Sequence, residues 1–153
     1  MKHLLVITLI AAMMASSYGY HHLQHTFRNS DDVFEHVSSA NHQVYILFLY
    51  DGVWARNEIR HPLKQRYDLE RDELLKVLTK YGNTVQFIEI NVNQGDYKTL
   101  LQEMSINSSD LDQSPVTVVI DDGHGVWVQG PREYHRIASI VEKFVTEPES
   151  HWY

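Results

Sequence analysis

The sequence predicts an α/β fold, a central mixed β-sheet flanked by helices. Three observations carry that expectation. Three runs rich in β-branched and aromatic residues, "VYILFLY" (44–50), "TVQFIEINVN" (84–93) and "VTVVI" (116–120), read as strands. Helical periodicity fills the intervals between them, which suits crossover units. A glycine-bearing hairpin followed by an amphipathic stretch closes the chain.

The elements follow in order. "LQHTFRN" (23–29) reads as a short edge strand. Ser30 or Asp31 then caps a helix whose apolar stripe is Val33, Phe34 and Val37, with Asp31, Asp32 and Glu35 near its positive end. "VYILFLY" is apolar without alternation, as expected of a central strand buried on both faces. From about Ala55 to Lys80 the pattern is helical through Ile59, Leu63, Tyr67, Leu69, Leu74, Leu75 and Leu78. Pro62 kinks that helix or starts a second segment, because it lacks an N–H and crowds the preceding turn. Gly82 in "YGN" supplies the residue of positive φ that stops it.

After the strand at 84–93, Gly95-Asp96 opens a short helix (97–104), and a polar loop runs from "NSSDLDQ" to Ser114-Pro115. "DDGHG" predicts a tight turn, with two glycines at positive φ between 116–120 and an edge strand at 126–129. "REYHRIASIVEKFV" (132–145) is the last helix, with Tyr134, Ile137, Ile140, Val141 and Phe144 on its apolar face. The order is β-α-β-α-β-α-β-β-α, in a single domain over 20–153 with a loose tail, "TEPESHWY".

Composition narrows the function. A net charge of -7 without a Lys/Arg cluster excludes general nucleic-acid binding, which needs a basic stripe. The absence of cysteine excludes disulfides, thiolate metal sites and thiol catalysis. No phosphate-cradling glycine loop and no G-x-S-x-G elbow is found.

"MKHLLVITLIAAMMASSYGY" has a Lys near its start, an apolar run from Leu4 to Ala15, then small residues. That is the layout of a secretory signal peptide over 1–19. The run is short for a spanning helix, which needs about 20 residues; an uncleaved anchor is the alternative. The expected location is the endoplasmic reticulum lumen or the exterior, with membrane insertion only if this segment is retained. Asn107 heads an N-x-S sequon and is a glycosylation candidate.

Metal binding is a third class. Among ten histidines, His21, His22 and His25 group in "YHHLQH"; cleavage after Gly19 would leave a Cu(II)-chelating amino terminus. Histidines so placed are more often solvated bystanders. Of the other seven, the six outside the leader segment show no ligand spacing, so no metal and no cofactor is expected.

Two motifs point to a family. "LYDGVWARNEIRHP" (49–62) aligns without a gap on the F-Y-A-P-W-C-G-H-C-K-x-L-x-P pattern of protein disulfide isomerase-like domains, tyrosine on Tyr50 and proline on Pro62. "SPVTVVIDDGHGVWVQG" (114–130) is similar to the family's later P-T-[LV]-x-[FI]…G…G pattern. The chain thus resembles the thioredoxin-like superfamily over roughly residues 25 to 145, as a disulfide isomerase-like domain. The resemblance places Pro115 where the family has its cis-proline. It places Trp54 and Asn57 on the two cysteine positions, and Phe48 on the buried acid that shuttles protons for the thiols.

Thiol–disulfide exchange needs a thiolate, which Trp and Asn cannot supply. The expected protein is therefore a non-enzyme: a redox-inactive thioredoxin-like protein that binds unfolded polypeptide or a partner protein. The family surface that receives extended polypeptide implies Tyr50, Trp54, Arg56, Asn57, Ser114 and Pro115 as contacts. The other reading is a structural accessory subunit of a larger complex, possibly membrane-associated, docked through Trp127 or the Trp152-Tyr153 tail.

Overall fold

A computed structural model describes residues 21–24, 27–38, 43–52, 62–130 and 133–146. Residues 1–19, expected as a signal segment, Trp54, Arg56, Asn57 and the tail from 147 lie outside the described residues.

The element order matches the expectation. It runs β1 (His21–Gln24), α1 (Ser30–Val37), β2 (Val44–Tyr50), α2 (Pro62–Leu78), β3 (Val85–Asn91), α3 (Lys98–Glu103), β4 (Val116–Asp121), β5 (His124–Gln129) and α4 (Glu133–Thr146). The five strands form one mixed sheet in the order β1-β3-β2-β4-β5. β1 and β2 run parallel to β3. β4 is antiparallel to β2, and β5 to β4.

Central β2 is buried at all seven positions, as its unbroken apolar run predicts. The pleat divides its side chains between two cores. Tyr45, Leu47 and Leu49 face α1 and α3, meeting Val33, Val37 and Leu100. Val44, Ile46, Phe48 and Tyr50 face α2 and α4, meeting Leu74, Leu78, Ile137, Val141 and Phe144. Each aliphatic or phenyl side chain so buried contributes about 1.5–3 kcal/mol.

Several boundaries differ from the sequence reading. The edge strand is His21–Gln24, so it begins before residue 23 and ends well short of 29. The cap of α1 is Asn29, whose Oδ1 accepts from the Asp32 N–H at 2.9 Å. Ser30 is buried instead, and its Oγ accepts from the Leu100 N–H at 3.0 Å, tying α1 to α3. Its backbone N–H is already committed to the Asp96 carbonyl.

The described part of α2 begins at Pro62. Leu69 is 58% exposed while Glu70 is buried, because α2 turns the Tyr67–Glu70–Leu74–Leu78 face to the sheet. Gly82 has the positive φ expected of a helix stop, but inside a 3-10 segment, Thr79–Thr84, that follows α2. The polar loop after α3 contains a 3-10 turn, Ser108–Asp112. In the β4–β5 turn the positive-φ residues are Asp122 and Gly123; Gly125 lies in β5. The two central residues thus follow the twist-matched hairpin rule with Asp-Gly.

His21 and His22 belong to β1, paired with Gln86 and Phe87 of β3; His25 is outside the described residues. Among the described residues no helix is long and apolar enough to cross a membrane, and no group of His, Asp or Glu is arranged to hold a metal ion.

Candidate functional site

The junction after β2 sits at one end of the sheet. Leu49 pairs with Val116, so Tyr50 and Pro115 lie at neighbouring strand ends. Tyr50 also pairs with Asn91 at the end of β3. The fold therefore brings Tyr50, Ser114 and Pro115 to one end of the sheet.

Their surroundings are not those of an open polypeptide-binding cleft. The Ser114–Pro115 bond is trans, whereas the resemblance implied a cis-proline position. Ser114 is 7% exposed, and its carbonyl accepts from Gln129 Nε2 at 3.3 Å. Gln129 Nε2 also donates to the Asp110 carbonyl at 2.6 Å. Tyr50 is 8% exposed, with its ring 4.9 Å from that of Tyr67. Burial first, then the nearby charge of Glu89, raises the Tyr50 hydroxyl pKa. A polar pocket of about 360 Å³ remains beside this end, lined by Arg66, Ser109, Asp110, Gln113, Ser114 and Gln129 among others.

The start of the junction is clamped by Asn91. Its Oδ1 accepts from the Gly52 N–H at 3.0 Å and the Asn93 N–H at 3.1 Å, and Asn91 itself is buried. A Cβ on Gly52 would stand 2.0 Å from Asn91 Nδ2. The glycine is needed for close approach, and the clamp fixes where the chain leaves the sheet.

Beneath the junction lies a feature that the sequence reading did not find. Phe48, which the resemblance would place on a buried-acid position, is fully buried and pairs with Glu89 on one side and Thr117 on the other. Both neighbours lead to carboxylates. Glu89 is held by Arg71, with Nε to Oε1 and Nη2 to Oε2, and accepts from Tyr67 Oη at 2.9 Å. Its hydrogen bonds raise the Arg71 pKa further; burial, then the Glu89 charge, raises that of Tyr67. On the other side, Thr117 Oγ1 donates to Glu133 Oε1 at 3.1 Å.

Glu133 opens α4, where the helix dipole favours a carboxylate. Burial wins nonetheless. With 3% exposure, its carboxyl is pushed up to about 8; the Thr117 hydrogen bond opposes this, Glu70 of α2 adds to it and Arg66 opposes it. Glu70 is buried as well. Buried acids thus flank Phe48 on both sides, but no thiol exists for any of them to serve.

One signal for Glu89 was present in the sequence: a single charge inside "VQFIEIN", an otherwise strand-like run. Glu133 carried none, since an acid in the first turn of a helix is ordinary.

Asn107 is exposed at the N-cap of the 3-10 turn, where its N–H donates to Asp110 Oδ2 at 2.9 Å. Trp127 is 41% exposed on β5.

No family model and no curated protein matches the chain. Solved structures do. A thioredoxin from Trypanosoma brucei brucei is 11% identical with a TM-score of 0.55, covering 82% of this chain and 91% of its own. Thioredoxin O2 from Arabidopsis thaliana, in its oxidized state, is 11% identical at 0.55, covering 84% and 96%. Thioredoxin f from spinach chloroplast is 19% identical at 0.53, covering 86% and 91%. At these identities the likeness bears on architecture alone, and with the strand order and the flanking helices it establishes that this cysteine-free chain has the thioredoxin-like fold.

Proposed function

We propose that the chain is a redox-inactive thioredoxin-like protein of the secretory pathway, of disulfide isomerase-like descent, that binds a partner protein without thiol chemistry. The observation that carries this reading is the fold without its nucleophile. Exchange between thiol and disulfide requires a thiolate to attack sulfur, and the chain has no cysteine. What such a fold retains is surface, so its work is non-covalent recognition.

The covered end of the sheet bears on the kind of partner. Strand addition at Ser114 needs an accessible backbone there, and Ser114 is buried, with its carbonyl already accepting from Gln129. That supports one fixed partner, as in an accessory subunit, over a succession of unfolded clients. The leader-like residues 1–19 support a secretory location, and the exposed Asn107 supports glycosylation there.

Affinity purification of the tagged protein after brief in-cell cross-linking tests this reading. One set of partners at constant stoichiometry, unaffected by Trp54→Ala or Ser114→Ala, is the expected result. Many substoichiometric clients lost in those variants would restore the client-binding alternative. Disulfide-reductase activity in the purified chain, or recovery of no partner, would overturn the proposal. The mature N-terminus and the Asn107 glycan are read by mass spectrometry from the same material.

A further inference from the structure

The outer side of β5 is built unlike an edge left to face water. Edge strands are normally kept short or guarded by charge, proline or a bulge. The opposite edge of the sheet, β1, has four residues. β5 has six, "HGVWVQ", with no Lys, Arg, acid or Pro. Val126 and Trp127 are 40% and 41% exposed. They project to opposite faces, since Val126 pairs with Val119 of the α2–α4 core and Trp127 with Val118 of the α1–α3 core. Among the described residues nothing pairs with the outer side of this strand.

On the Trp127 side, a groove of about 770 Å³ runs between the sheet edge and helices α1 and α3. Phe34, Met104, Ile120 and Trp127 supply its apolar lining; Asp31 and Glu103, both exposed, supply its charge. Among the described residues no basic side chain lines it.

We propose that this edge and groove dock an extended, basic–apolar segment of a partner polypeptide, which adds to the sheet beside β5. The inference rests on the partner-binding reading above and gives it a surface. Backbone pairing with β5 supplies register, and every second side chain turns to the groove, apolar ones beside Trp127 and basic ones toward its acidic rim. Lys or Arg on the segment then meets Asp31 and Glu103, which biases both the choice of partner and the rate of encounter. A second copy of the chain fits poorly, because it would bring like-charged rims together on a chain of net charge -7.

The test uses the isotope-labelled full chain and a synthetic nine-residue peptide with Thr at every second position and Val, Lys, Tyr, Lys and Val at the others, so that Lys and apolar side chains share one face. Amide chemical shifts and amide exchange are followed. Saturable shifts in β5, Phe34 and Met104 are expected. At least tenfold weaker binding is expected for the same peptide with Glu in place of Lys, and for one N-methylated at alternate residues. Trp127→Ser should weaken binding at least fivefold while leaving the melting temperature within a few degrees, and Asp31→Asn with Glu103→Gln should remove the preference for Lys.

No saturable shift, equal binding of the Glu peptide, or shifts confined to Tyr50 and Ser114 would overturn the proposal. So would outward β5 amides already protected without peptide, whether by a second copy (protection rising with concentration) or by the chain's own residues (protection independent of it). If in-cell partners survive Trp127→Ser, this surface is wrong and the partner-binding reading stands; if the unaltered chain recovers no partner, that reading itself fails.

Discussion

Glu89 stands directly beside Phe48 in the parallel register of β2 and β3, and Arg71 from α2 reaches across to hold its carboxylate. The Glu89 side chain is nearly inaccessible, whereas the Arg71 side chain is 24% exposed. Such a pair contributes little net stability but is costly to break from one side. Arg71→Ala is expected to cost about 2–4 kcal/mol, somewhat below a fully buried case because Arg71 is partly solvated. The double variant Arg71→Met/Glu89→Leu should recover most of that loss. A double-mutant cycle by urea unfolding measures both, and additive single effects would remove the pair from the account.

Glu133 makes stability depend on pH. Its folded carboxyl sits at about 8 against an ordinary 4.5. Between those values the folded chain holds a proton that the unfolded chain has released. This contribution is fully present below pH 4.5 and is lost as pH rises through about 8. Glu133→Gln mimics the protonated side chain. It should match the parent at pH 5 and exceed it by about 1–3 kcal/mol at pH 8. Parallel stability curves for the two proteins would show that Glu133 is not the titrating group.

Gly52 and Gly123 are needed for different reasons, and the same substitution separates them. At Gly52 a new Cβ meets the Asn91 amide 2.0 Å away. Gly52→Ala is expected to cost about 1–3 kcal/mol through overpacking, with altered amide shifts at Asn91 and Asn93.

Gly123 has open space around its Cβ position but a φ of 78°. Gly123→Ala should cost about 1–2 kcal/mol through backbone strain alone. Shifts should stay confined to the β4–β5 turn. A neutral result in urea unfolding would mean that the turn relaxes to another type.

Much of the fold was legible in the sequence because it rests on local pattern. "VYILFLY" has no polar residue to offer solvent, so it had to be a central strand, and β2 is buried throughout. The order of elements, and hence the sheet, followed from where apolar runs gave way to helical periodicity. Residues whose role depends on neighbours from other elements were read less well. Leu69 looked like a core position, but α2's rotation against the sheet exposes it and buries Glu70 instead. Ser30 looked like a cap, but its hydroxyl is used 70 residues away, at Leu100.

By itself, the sequence determined what chemistry is unavailable: with no cysteine, no arrangement of the chain performs thiol exchange. That conclusion needs only composition, since a missing atom cannot be supplied by folding. Tertiary structure decided what occupies the vacated neighbourhood. Strand register set Glu89 and Thr117 on either side of Phe48, helix packing brought Arg71 and Glu133 to them, and the Gln129 side chain closed over the Ser114 carbonyl. These relationships join residues far apart in the chain, and their energies arise from burial and contact, neither of which exists until the sheet and its helices have packed.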